Sequence, residues 1–133
     1  MIAATELRLV LVSPETTLLD QPVRSLQFPL FDGQIGVLPG RAPLVGRLGA
    51  GELKFESSTG AGRYFIDGGF AQIKGSVVTL LTSRAMPIEA INPAKAEQEL
   101  EAALALQPHD EAGFTEKQQA IERARKMIAL RRG

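Results

Sequence analysis

The chain has 133 residues, enough for one compact domain or a domain with an appendage, and too few for two enzyme-sized domains. Lysine plus arginine and aspartate plus glutamate number 15 each, so no net field recruits nucleic acid or anionic lipid, and the 44% apolar share fits a soluble globular protein. Cysteine is absent, which excludes disulfides, thiolate nucleophiles and cysteine-held metals, and no uncharged apolar run nears the roughly 18 residues of a membrane-spanning helix.

Met1 to Arg8 place Glu6 ahead of any apolar stretch and lack a basic n-region, so they do not read as a signal peptide. Leu7, Leu9 and Leu11 then face one way and Glu6 and Arg8 the other, the period of a strand. The same alternation returns in Val23 to Phe28, in Glu52 to Glu56 through Leu53 and Phe55, and in Tyr64 and Ile66. It returns again in Phe70 to Ile73 and in Val77 to Leu81. Gly60-Ala61-Gly62 and Lys74-Gly75-Ser76 are the hairpin-type breaks between these runs. Short strands at such spacing, with no helical stretch between them, predict an antiparallel β-sandwich over residues 1–86.

Of the 13 glycines only Gly113 and Gly133 follow residue 86, and past Pro87 the period becomes helical. Asn92 is placed to cap and Pro93 to occupy the first helical position, with Ala96, Leu100, Ala103 and Leu104 on one face. Pro108 ends this helix. After a loop of about eight residues, Thr115 with Gln118 predicts a capping-box start for a second helix. Its stripe is Ala120, Ile121, Ala124, Met127 and Ile128. Residues 87–133 therefore read as an antiparallel two-helix hairpin whose alanine-rich seam buries little area. The fold expected is mainly β with an α appendage.

Catalytic constellations are not found. His109, the one histidine, sits beside Asp110 and Glu111 in a polar loop, and one histidine cannot build a His-rich metal site. Gly49-Ala50-Gly51 and Gly60-Ala61-Gly62 begin like a dinucleotide fingerprint, but Lys54 and Phe65 fill their sixth positions, and both are better read as turns. No phosphate-cradling loop motif occurs, and Ser13 and Ser83 lack spaced partners for nucleophilic work. The expectation is a protein that is not an enzyme and holds no metal or cofactor.

Gly33-Gln34-Ile35-Gly36-Val37-Leu38-Pro39-Gly40-Arg41-Ala42-Pro43-Leu44 reads by itself as a long, ordered loop framed by glycine and proline. Val12-Ser13-Pro14-Glu15 precede it; Gly51-Glu52-Leu53, Asp67-Gly68-Gly69-Phe70 and Val77-Val78-Thr79-Leu80-Leu81 follow. In that setting the chain resembles the epsilon subunit of F-type ATP synthases from about Leu7 to its end. The resemblance implies a non-catalytic central-stalk subunit whose sandwich binds the rotating gamma subunit and rests on the c-subunit ring, coupling ion flow to rotation. It places Gln34, Gly36, Leu38, Gly40 and Arg41 in the loop that contacts the c ring and gamma. It also implies a peripheral position, through the complex, on the cytoplasmic face of a bacterial inner membrane. The hairpin is the family's regulatory element, folded down or extended along gamma toward the catalytic beta subunits, where it opposes ATP hydrolysis.

The sequence departs from the family's pattern in two segments. Some members bind ATP through I-D-x-x-R-A at the first helix, whereas here the segment is Ile91-Asn92-Pro93-Ala94-Lys95-Ala96, which loses an acid at Asn92 and a bidentate fork at Lys95. Asn92 and Lys95 are thus weak nucleotide-site candidates, and the helix start explains Asn92-Pro93 equally. Arg41 stands where histidine is common, which suits acidic or carbonyl-lined c-ring loops, or is a solvated loop arginine.

Between residues 123 and 132 lie Arg123, Arg125, Lys126, Arg131 and Arg132 and no acid. Cations at a helix C-terminus gain about 0.3–1 kcal/mol each from the dipole, but five in ten residues exceed that need. Either they meet an acidic surface, by resemblance a loop of the beta subunits, or they form a solvated helix end. The alternative to a stalk subunit is a free-standing β-sandwich that binds a small ligand, with the helices as a dimerisation arm.

Overall fold

The structure is a computed structural model that describes residues 6–40 and 42–132. Contacts divide it between Met86 and Pro87 into two compact units.

The first unit is the expected β-sandwich. Its strands are β1 (Leu7–Val12), β2 (Thr17–Val23), β3 (Ser25–Leu30), β4 (Gly33–Val37), β5 (Leu44–Arg47), β6 (Ala50–Ser57), β7 (Gly60–Lys74) and β8 (Val77–Pro87). The ladder runs β2-β1-β8-β7-β6-β3-β4, with β5 on β7. Leu7, Leu9 and Leu11 all turn inward and are at most 2% exposed. They join Val23, Leu26, Phe28, Leu53, Phe55, Val78 and Leu80 in one apolar core. Each such side chain contributes on the order of 1.5–3 kcal/mol by leaving water.

Four details differ from the sequence expectation. The sheet is not antiparallel throughout, because β1 pairs with β8 in parallel, Arg8 opposite Val77 through Val12 opposite Leu81. A parallel pair needs only a long crossover, and the intervening strands of the sandwich supply it in place of a helix. Val23 to Phe28 is two strands broken at Arg24, and Tyr64 to Ile73 is one strand, not two. Residues 33–37, expected in a loop, form β4, a hairpin partner of β3 across a Phe31-Asp32 turn.

β7 is long because, besides β8, it serves two neighbours in succession: residues 60–67 pair with β6 and residues 70–73 with β5. The switch falls at Gly68 and Gly69, with φ of 72° and 111°, values that favour glycine. Gly69 carbonyl accepts from Leu48 N at 2.8 Å, and Gly68 N donates to Gly49 carbonyl at 3.2 Å, so the corner is bonded on both sides.

The second unit holds a short 3-10 turn, Ile88–Ala90, followed by α1 (Pro93–Ala105) and α2 (Glu111–Arg132). Asn92 caps α1 as expected, its Oδ1 accepting from Ala94 N at 3.0 Å and Lys95 N at 3.2 Å. The start of α2 does not follow the expectation. Asp110, not Thr115, caps it: Oδ1 accepts from Gly113 N at 2.7 Å, so the connection shrinks to residues 106–110. Gly113 belongs to the first turn of α2 rather than a loop, and a Cβ there would stand 3.0 Å from that capping oxygen and 3.2 Å from Pro108 Cβ. The seam buries Ala96, Ala103, Ile121, Ala124 and Met127, with Leu100, Ala120 and Ile128 partly covered. Leu104 is 49% exposed and lies off the seam, because an alanine-lined contact is narrow.

Candidate functional site

Among the described residues no group of three or more His, Cys, Asp or Glu could hold a metal ion. The site residues expected from the sequence are divided between the two units.

On the sandwich, Gln34 and Gly36 lie on β4 rather than in a loop, because their neighbours Ile35 and Val37 turn into the core opposite Phe28 and Leu26. The Gln34 side chain crosses the outer face and donates from Nε2 to the Glu52 carbonyl at 3.1 Å. Beside it Arg63 pairs with Glu52. Leu38 follows the strand and is 66% exposed. Gly40, at φ 89°, closes the Pro39-Gly40 turn. Arg41 lies outside the described residues. A shallow groove of about 440 Å³ runs beside this segment, with Gln27, Gly36, Leu38, Lys54 and Glu56 along it.

A second exposed surface was not anticipated. Phe31, Val45 and Phe70 are 68%, 75% and 56% exposed. Arg47 lies over the Phe31 ring, 4.9 Å from its centroid, and stands opposite Phe70 in the β5–β7 ladder. Exposed rings around an arginine stem form an apolar patch of the sort found at protein contacts. Phe31 carries the one sequence signal: it breaks the alternation that points Phe28 inward.

On the hairpin, the nucleotide candidates take an ordinary structural part. Asn92 spends its side-chain oxygen on the helix cap, and Lys95 is exposed on the first turn. The five C-terminal cations do not act as one block. Arg131 donates from Nε to the Ile91 carbonyl at 3.2 Å, tying the end of α2 to the residue before the α1 cap. Arg123 is half-buried and engaged within the fold. Arg125, Lys126 and Arg132 face solvent, the first two beside Gln118, Ile121 and Ala129 along a shallow groove of about 400 Å³. Lys117, not singled out in the sequence, donates to the Leu106 carbonyl at 2.9 Å and closes the opposite end of the hairpin.

The family described as ATP synthase, Delta/Epsilon chain, beta-sandwich domain matches residues 6–88. The ATP synthase epsilon chain of Rhodopirellula baltica is 40% identical over 126 residues, which are 95% of this chain and 98% of that one. A chain of the Euglena gracilis mitochondrial ATP synthase, in a structure of its OSCP, F1 and c-ring, superposes with a TM-score of 0.84 at 32% identity. That match covers 97% of this chain and 83% of the other. A chain from the central stalk and c-ring of the Tetrahymena thermophila mitochondrial ATP synthase shares the fold at 10% identity, with a TM-score of 0.77 over 98% and 99% of the two chains.

Proposed function

The chain belongs to the ATP synthase delta/epsilon-chain family, and from that premise we propose that it is a non-catalytic rotor subunit, its sandwich seated on gamma and on the c ring. It couples ion flow through the ring to rotation of gamma, and its hairpin opposes ATP hydrolysis by reaching the catalytic beta subunits. The observation that supports this reading is the extent of the likeness: it continues past the sandwich through the hairpin in both sequence and structure.

The physical features agree with a stalk role. No helix among the described residues is long and apolar enough to cross a membrane. In the stalk reading the chain is held peripherally through the complex, at the cytoplasmic face of a bacterial inner membrane. The hairpin seam is mostly alanine and is fastened at its two ends by Lys117 and Arg131 through single bonds to carbonyls. Such bonds contribute about 0.5–1.5 kcal/mol each, or somewhat more from a charged donor. An element held this lightly can exchange between two arrangements a few kcal/mol apart.

A fragment ending at Met86 is expected to fold and to retain gamma binding, because the apolar core of the sandwich contains no hairpin residue. Circular dichroism and gamma co-purification check this. A folded fragment that no longer brings down gamma would move that contact to the helices. A full chain that brings down no gamma would favour the free-standing ligand-binding module.

A further inference from the structure

A sheet edge presents main-chain donors and acceptors to any passing strand, and proteins blunt such edges with charge, proline, bulges or short length. β2 carries Asp20 paired with Arg8 at 2.8 Å and Pro22, and its register with β1 shifts between Leu11 and Val12. β5 is four residues long, and its Arg47 carbonyl accepts from Phe31 N at 2.8 Å. β4 ends the ladder, five residues long and without charge, proline or bulge. Gly33-Gln34-Ile35-Gly36-Val37 has no charge and no proline, and its register with β3 is unbroken.

The hydrogen bonds show which groups this edge offers. Pro29 carbonyl accepts from Gly49 N at 3.0 Å and Phe31 N donates to Arg47, so residues 29 and 31 turn their main chains away from β4. Alternation then turns Phe28 and Leu30 toward β4, onto Ile35 and Gly33. The N–H and C=O groups of Gln34 and Gly36 therefore point off the edge, where no described residue bonds them. Exposed Leu38 follows it directly, and exposed Phe31 precedes it across Asp32 of the turn.

We infer that β4 receives an extended, uncharged strand of the stalk polypeptide on which the sandwich sits, added to the sheet through the main chains of Gln34 and Gly36. This rests on the stalk reading above and names the part of the surface that carries it. A helix cannot use such an edge, because its own N–H and C=O groups are spent internally. The uncharged strand, with apolar Leu38 directly after it, matches an uncharged, apolar segment, and strand addition is a recurrent mode of peptide recognition.

The test is amide hydrogen exchange on the full chain, alone and bound to its cognate gamma chain. The Gln34 and Gly36 amides are expected to slow by about 100-fold or more in the complex, as amides do on entering a stable ladder. Gly36→Pro deletes the outward N–H and is expected to weaken gamma binding about tenfold, or about 1.4 kcal/mol. Gly36→Ala keeps the N–H and has room, its Cβ meeting nothing nearer than Gln27 Cγ at 3.9 Å, and is expected to bind as the unaltered chain does. If Gly36→Pro misfolds, exchange on the unaltered chain decides alone. A gamma complex in which both amides exchange as fast as in the free chain overturns the inference and leaves the stalk reading standing. An equal loss of binding in Gly36→Ala overturns it too, by moving the contact from the edge to the outer face. Protection that rises with chain concentration and needs no gamma overturns it in favour of a second copy. Failure to bind gamma at all removes both readings.

Discussion

Gly69→Ala is expected to unfold the sandwich or strip most of its stability. The added Cβ would lie 1.8 Å from the Leu81 carbonyl oxygen and 2.9 Å from Thr82 Cα. These are backbone atoms of a neighbouring strand and cannot swing aside. The φ of 111° adds backbone strain of order 1–3 kcal/mol for a residue with a side chain. Together with the displaced strand, a loss of about 4 kcal/mol or more is expected, against a total of about 5–15 kcal/mol for an ordinary domain. Gly60→Ala is the control: its φ is 134°, but nothing lies within 4 Å of the added Cβ, so only the strain is incurred. Denaturant midpoints of the two variants give the comparison. Equal midpoints would mean that the corner of β7 does not sit where the Leu48–Gly69 bond places it.

The second large effect is on catalysis by the assembled enzyme. Changing Arg125, Lys126 and Arg132 together to glutamine is expected to relieve inhibition of ATP hydrolysis by at least about fivefold, the lower end of ordinary coupling between sites. These three cations face solvent, so their loss should change hairpin stability by no more than a few tenths of a kcal/mol each. Arg131 and Arg123 are left in place because both are engaged within the fold. Raising salt should imitate the substitution, since contacts of this kind are screened within about 8–10 Å at ordinary ionic strength. Unchanged hydrolysis at low salt, with assembly confirmed, would leave these side chains as solvated surface.

What the sequence disclosed follows the strength of its local signals. Leu7, Leu9 and Leu11 alternate against Glu6 and Arg8 and proved buried, and Asn92-Pro93 is a strong local start that the cap geometry reproduces. β4 was hidden because two of its five residues are glycine and its pairing is set by β3, far more than by its own propensity. The parallel β1–β8 pair was hidden because register between distant strands leaves no local pattern. Asp110 and Gly113 looked like loop residues, though together they make a helix start in which the missing Cβ makes room for the capping oxygen. The apolar patch at Phe31, Val45 and Phe70 is assembled from three segments, so no window of sequence contains it. Similarly, the five C-terminal cations look alike in a row, and only the antiparallel hairpin sends Arg131 back to Ile91 and leaves Arg125, Lys126 and Arg132 outside.

The most direct test of the stalk reading is the rate of ATP hydrolysis by the reconstituted catalytic core, measured without this chain, with the full chain, and with the fragment ending at Met86. The full chain is expected to bind and slow hydrolysis, and the fragment to bind through the sandwich and leave the rate near that of the core alone. A full chain that binds the core yet leaves the rate unchanged, or a fragment that inhibits as well as the full chain, would contradict the regulatory role of the hairpin.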